Sequence, residues 1–216
     1  MHNDCTAEMM AAGREAIENA RRMTIDDPKI LSQIGEAAAK MVDDVKIMRK
    51  HIVIPDNGFQ AFLERKYIAI RKAALNDVAD VTYNTGLPIQ DIIDMKNHLF
   101  LNTKGISVKG KPLEELYLQA DPDIAYAWQK AQTTKLTDAE KEWFIQLKNH
   151  ELLEKKYMDE GMPLADPSTW NGNGFTPDTL KNAHDKANLT AKAPKEFPQY
   201  DAFSDYNKCV DTPIEY

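Results

Sequence analysis

Long hydrophobic runs are missing from this 216-residue chain. No segment approaches the roughly 18 apolar residues that a spanning helix needs, so no membrane span is expected. Residues 1–24 carry acids and lack an apolar central region, so they do not make a secretory signal peptide of the usual kind. Cysteine is scarce: Cys5 and Cys209 stand near opposite ends. Two isolated thiols make neither a disulfide framework nor a zinc-finger site, and spacing alone does not decide whether they bridge. A surplus of positive charge is missing too. The net charge of −7 argues against gripping nucleic acid by bulk charge. It leaves room for a metal-assisted nuclease, where the ion supplies local positive charge. No Gly-x-Ser-x-Gly elbow, His-Glu-x-x-His zinc motif or paired-cysteine deaminase pattern occurs. Gly172-Asn173-Gly174 lacks the strand-to-helix setting of a phosphate loop and reads as a lid or plain surface. There is no internal repeat and no low-complexity tract.

What is present is a helical pattern with a sizeable core. At 43% hydrophobic, the chain can build one large domain, or one domain with an added subdomain. Apolar residues recur at helical spacing over 7–23, then from Asp27-Pro28 to Met48, then over 59–83. Asn84-Thr85-Gly86 is a stop signal. Pro88 opens a short helix to His98. Residues 105–110 alternate between bounding glycines and read as a small hairpin or loop. Short helices are expected over 112–119 and 122–132. Thr137-x-x-Glu140 is a capping box that starts a long helix ending at Gly161. A loop over 162–174 follows, then a helix capped by Thr176-Pro177 and running to Asn188, then an irregular tail beyond Ala191. The expected fold is mainly α: an irregular multi-helix bundle with at most a small β-hairpin. The expected division is a helical region over 1–85 and a functional region over 86–216.

The long helix carries the most informative feature. With Trp143 at 0° and a step of about 100° per residue, Tyr157, Leu147, Met158 and Phe144 share one arc with Trp143. His150, Glu154 and Glu151 fall inside that arc, at about −20°, 20° and 80°, while Lys148, Lys155 and Lys156 lie opposite. Ionisable groups on a core-facing stripe must be paired, metal-bound or neutral, because isolated buried charge is very costly. His150 and Glu154, one turn apart, make a metal half-site or a base with its orienting carboxylate. They also fit a His–Glu pair that only satisfies itself in a helical core. On the last helix, Leu180, Ala183, His184 and Ala187 share a face, and the small residues let His184 approach another helix closely.

Lys96 falls on the apolar face of the helix after Pro88, where it can snorkel or hold an anion such as phosphate. His98 points away from that face in a regular helix, and reaches the site only if the helix ends before it. His2 and His51 look incidental. Residues 78–96 have the spacing of a helix-turn-helix, but Asp91 and Asp94 on the second helix repel phosphate.

Taken in order, Lys96-x-His98-x-Phe100, Asp121-Pro-Asp-Ile-Ala125 with Trp128, His150-Glu-Leu-x-Glu154 with Tyr157-Met158 and Gly161, and Ala183-His184 resemble a C-terminal toxin module of bacterial polymorphic toxins. These modules are attached to rearrangement-hotspot and contact-dependent-inhibition delivery proteins. The resemblance covers about residues 86–190. It departs in one respect: residues 162–175 insert a Pro/Gly-rich loop before the last histidine. The resemblance implies an effector secreted or delivered into the cytoplasm of a target bacterium, and a cognate immunity protein as partner. Such modules most often attack nucleic acids.

The residues then support a hydrolytic enzyme, with a nuclease as the leading expectation. His150, Glu154 and His184 form its core and hold a divalent zinc, manganese or magnesium ion if one is bound. Glu151, Lys96 and His98 support them. Two other readings stay open: a non-enzymatic helical module that binds DNA or protein, and an adaptor whose buried ionisable groups only fix helix register.

Overall fold

The computed structural model describes residues 50–201 and, before them, Pro28, Lys29, Ser32 and Met48. Apart from those four positions, the helices expected over 7–23 and 27–48 lie outside the described residues, as do both cysteines. Within them the chain is mainly α, with six α-helices and a single two-stranded hairpin. Helix α1 (Gly58–Lys72) starts at Asn57, whose side chain accepts from the Gln60 N–H at 2.9 Å. Helix α2 (Val78–Thr85) ends at Gly86, which takes the left-handed φ of 77° that a side chain resists. Helix α3 (Ile89–Lys96) runs into a π-helical turn (Asn97–Leu101), closed by the Asn102 N–H on the Asn97 carbonyl at 2.9 Å. After the hairpin come α4 (Pro122–Ala131), capped by Asp121, and α5 (Asp138–Asp159). The last helix is α6 (Ala183–Thr190).

Three expectations need correction. The helix expected over 59–83 is two helices. The chain breaks after Lys72, with Ala74 at φ 48°. The break brings Asp77 inward, where its carboxylate takes Lys96, the Trp128 indole N–H at 3.0 Å and the Gln132 amide at 2.6 Å. A satisfied buried carboxylate outweighs one continuous helical ladder here.

The helix expected over 112–119 is a strand. β1 (Lys104–Ile106) pairs antiparallel with β2 (Glu114–Leu116), with Gly105 opposite Glu115. Positive φ at Lys109 (53°) and Gly110 (74°) turns the chain back. Beyond β2, the Tyr117 N–H donates to the His51 carbonyl at 2.7 Å, and the His51 ring bonds the Glu115 carbonyl. His51 is therefore a tie for the hairpin.

The last helix begins at Ala183 rather than at Thr176. Asn182 holds the segment before it: its Oδ1 accepts from the Asp166 N–H at 2.7 Å and its Nδ2 donates to Asp185. Leu180, expected on the buried face with His184, is 86% exposed.

The capping box of α5 forms as its sequence predicts, with Thr137 and Glu140 bonded reciprocally. Over its 22 residues, about 33 Å at 1.5 Å per residue, the helix buries Glu140, Trp143, Phe144, Leu147, His150, Glu151 and Glu154. The spacing is the predicted stripe as far as Glu154; Tyr157 and Met158, expected on the same arc, are only half-buried. Its N-terminal half packs into a chain of rings: Tyr67 against Phe100 at 4.8 Å, Phe100 against Trp128 at 5.0 Å, and Trp143 against Phe197 at 5.1 Å. Edge-on aromatic pairs of this kind bury large areas in fixed geometry. The same core takes residues from both sides of position 86, from Leu63 to Phe197. Its C-terminal half packs on α6, where Ala183 and Ala187 are fully buried. Their small side chains let the two helices close to the distance at which imidazoles meet carboxylates. Among the described residues no helix is long and apolar enough to cross a membrane.

Candidate metal centre

The C-terminal half of α5 turns polar while staying buried. His150 and Glu154 project from one face, and α6 sets His184 against them. His184 Nδ1 lies 2.8 Å from Glu154 Oε2 and 3.2 Å from His150 Nε2, and His150 Nε2 lies 3.6 Å from Glu154 Oε2. The loop over 162–175 does not keep His184 away. It docks α6, through the Ala183 N–H on the Pro163 carbonyl at 2.9 Å. His150 and Glu154 are buried, whereas the His184 side chain is 48% exposed, so this triad opens to solvent on the His184 side.

The ring orientations follow from their outer partners. His150 Nδ1 lies 2.8 Å from the Ala191 carbonyl, which can only accept, so Nδ1 carries a proton and Nε2 faces inward. Asn188 Oδ1 accepts from the Ala193 N–H at 2.9 Å, which leaves Asn188 Nδ2 toward His184 Nε2 at 3.0 Å. His184 then donates from Nδ1 to Glu154.

The other oxygen of Glu154 meets His98. His98 Nε2 lies 3.2 Å from Glu154 Oε1 and 3.6 Å from Glu151 Oε2. The α-helix ends at Lys96, and the π-helical turn carries His98 against α5. A π turn frees carbonyls from the regular ladder, and two cations take them. Arg71 Nε donates to the Phe100 carbonyl at 3.0 Å, and Lys104 Nζ to the His98 carbonyl at 2.5 Å.

These contacts set the charges. Burial works to raise the Glu154 carboxyl, but its contacts with His150, His184 and His98 hold it well below the usual carboxylate range. Burial, with the Glu154 and Asp121 charges adding, pushes Glu151 well above that range. Glu154 is therefore the ionised member of the pair. Its hydrogen bond raises His184, while burial lowers His98. Burial also brings Lys104 down to about 8, against the pull of Glu154 and Glu151.

Five of the six expected site residues thus meet: His150, Glu154, His184, Glu151 and His98. Lys96 does not join them. It is completely buried, paired with Asp77 and set over the Trp128 ring at 5.9 Å. Burial lowers its ammonium despite Asp77, and no anion from solvent reaches it. The cation beside the cluster is Lys104, which sequence spacing did not single out, because a three-residue strand next to a glycine has no periodicity to read. Lys104, Lys155 and His98 line a cavity of about 340 Å³ together with Asn102, Thr103 and Asp159. Asn188 was also missed: its role depends on where the chain after α6 returns.

Two groups of donors here have metal-ligating chemistry: His150, Glu154 and His184, and His98, Glu151 and Glu154, each with its ligand atoms within 4.8 Å of one another. The fold and the site define a mainly α-helical protein with a buried, partly open His–Glu centre. Compared with known proteins, the chain matches no family model, no curated protein and no solved structure.

Proposed function

We propose that this chain is a metal-dependent hydrolase, and that His150 Nε2, Glu154 Oε2 and His184 Nδ1 take one divalent cation. The observation that carries this reading is their convergence: two imidazoles and a carboxylate within 3.6 Å of one another, open on one side only. Catalytic zinc sites use three protein ligands of this kind and keep a fourth position for water. The donor set favours zinc or manganese over magnesium, which prefers oxygen. The Ala191 carbonyl already fixes His150 in the ligating tautomer. His184 needs one adjustment. A cation on Nδ1 moves the proton to Nε2, so Asn188 must turn its oxygen toward the ring.

When bound, the ion would acidify a water and polarise the bond under attack. The chain's own residues do the rest. Glu154 is held ionised between the imidazoles, and His98 fixes its second oxygen. On the His98 side of the cluster, Lys104 lines a cavity with Lys155, which pairs with Asp159 there; a phosphodiester is the substrate class we assign. With the motif resemblance, this makes the chain an effector nuclease that acts in the cytoplasm of a competing bacterium, with a cognate immunity protein as its partner. The alternative of a DNA-reading helix pair gains nothing from α2 and α3, whose one lysine is Lys96 and whose partly exposed acids are Asp80, Asp91 and Asp94.

The test is hydrolysis of purified RNA, single-stranded DNA and duplex DNA by the full chain, with and without added zinc or manganese. Metal-dependent cleavage that chelator abolishes and His150→Ala eliminates is expected, as is growth arrest on expression in bacteria. Cleavage of none of the three substrates, or full activity of folded His150→Ala, overturns the proposal.

A further inference from the structure

The metal reading of the first triad leaves a second set of ligand atoms unexplained. Glu151 is buried on α5 beside an ionised Glu154, a placement that raises its own ionisation cost. Among the described residues its carboxylate makes no hydrogen bond, and its one ion-pair contact is His98 Nε2 at 3.6 Å. Buried carboxylates in folded proteins are ordinarily hydrogen-bonded or ion-paired, because desolvation without a partner is expensive. His98 brings its Nε2 to the same place, 3.2 Å from Glu154 Oε1. The fold has also gone out of its way to bring this ring here, by widening the end of α3 into a π turn, a feature often found at functional sites.

Glu154 links the two triads through different oxygens. Oε2 faces His150 and His184, and Oε1 faces His98. A carboxylate that presents one oxygen to each of two neighbouring ligand sets has the geometry of a bridge. We infer that the centre is dinuclear: a second divalent cation sits among His98 Nε2, Glu151 and Glu154 Oε1, with Glu154 bridging the two ions. This rests on the metal reading of the first triad and adds a site with a harder donor set, one imidazole and two carboxylates, suited to manganese or iron(II) more than to zinc.

The second site explains what the first does not. A cation there supplies the positive charge that lets Glu151 ionise beside Glu154. It also faces the cavity lined by Lys104 and Lys155, through His98, whereas the first site opens past His184. Paired ions of this kind clamp both the attacking and the leaving oxygen in phosphoryl chemistry.

The experiment is manganese titration of the full chain, read by calorimetry and by electron paramagnetic resonance, on wild type, Glu151→Leu and His98→Ala. Leucine at 151 replaces a buried carboxylate with an apolar group of similar size, so this variant is expected to fold, and circular dichroism checks both. Two equivalents per wild-type chain with an exchange-coupled signal, falling to one equivalent and an uncoupled signal in each folded variant, is the expected result. One equivalent in wild type, or two in either variant, overturns the inference. Two equivalents without hydrolysis of any nucleic acid would sink the nuclease reading and leave the dinuclear site standing. One equivalent with hydrolysis would do the reverse.

Discussion

Asp77→Asn should unfold this protein more readily without touching its chemistry. Asp77 sits in the break between α1 and α2 and holds three donors: the Lys96 ammonium, the Trp128 indole and the Gln132 amide. Lys96 is fully buried, and the Asp77 side chain is nearly so. Removing one partner of a buried ion pair costs about 3–5 kcal/mol, because the other charge is left without compensation. Asparagine keeps the shape and one acceptor for Trp128, so the low end, about 3 kcal/mol, applies. With a urea slope of about 2 kcal/mol per molar, the midpoint falls by about 1.5 M. Lys96→Met on the wild-type background costs less, since Asp77 keeps its two neutral donors. The double variant returns to within about 1 kcal/mol of wild type, because no charge is then stranded. Equilibrium urea denaturation followed by Trp fluorescence measures all four proteins. Lys96→Met, while folded, retains wild-type metal content and hydrolysis. A midpoint shift below about 0.5 M for Asp77→Asn would refute the reasoning. So would an inactive Lys96→Met of unchanged stability, which would return this lysine to substrate binding.

Other substitutions probe separate parts of the account. Asn188→Asp gives His184 Nε2 a carboxylate to donate to while keeping the acceptor for the Ala193 N–H, so metal affinity should rise about 10-fold or more; calorimetric titration with zinc tests this, and unchanged or weaker binding counts against the tautomer argument. Thr137→Ala removes one half of the α5 capping box and should cost about 1 kcal/mol, a fall in Tm of about 2–4 °C with metal binding intact. Gly110→Ala places a Cβ 2.6 Å from the Trp170 side chain at φ +74°, so it should destabilise by about 2 kcal/mol or more and speed amide exchange around Trp170; a neutral effect in a thermal melt would contradict the close approach.

Local signals in the chain foretold local structure well. The capping box at Thr137, the stop at Gly86 and the stripe on α5 as far as Glu154 all depend on residues within a turn or two of one another, and all appear as read. His150 with Glu154 was legible for the same reason. His184 was legible as a histidine between small residues, although the start of its helix was not, because Asn182 builds that start from bonds to Asp166 and Thr176 across a loop. Lys96 was misjudged because its partner Asp77 lies in a break that helical periodicity over 59–83 conceals. His98 hinged on where the α-helix stops, and the π turn that settles this rests on a tertiary arrangement: Arg71 and Lys104 capturing the freed carbonyls. Lys104 itself sits in a strand too short to announce itself. What escaped sequence reasoning was long-range partnership, in which one residue's role is fixed by another many positions away.

Anomalous diffraction from crystals of the full chain grown with zinc tests the central claim most directly. The account predicts a strong peak within about 2.0–2.2 Å of His150 Nε2, Glu154 Oε2 and His184 Nδ1, with Asn188 turned to present its oxygen to the ring. Zinc bound only elsewhere, with His184 still donating to an unmetallated Glu154, would contradict it.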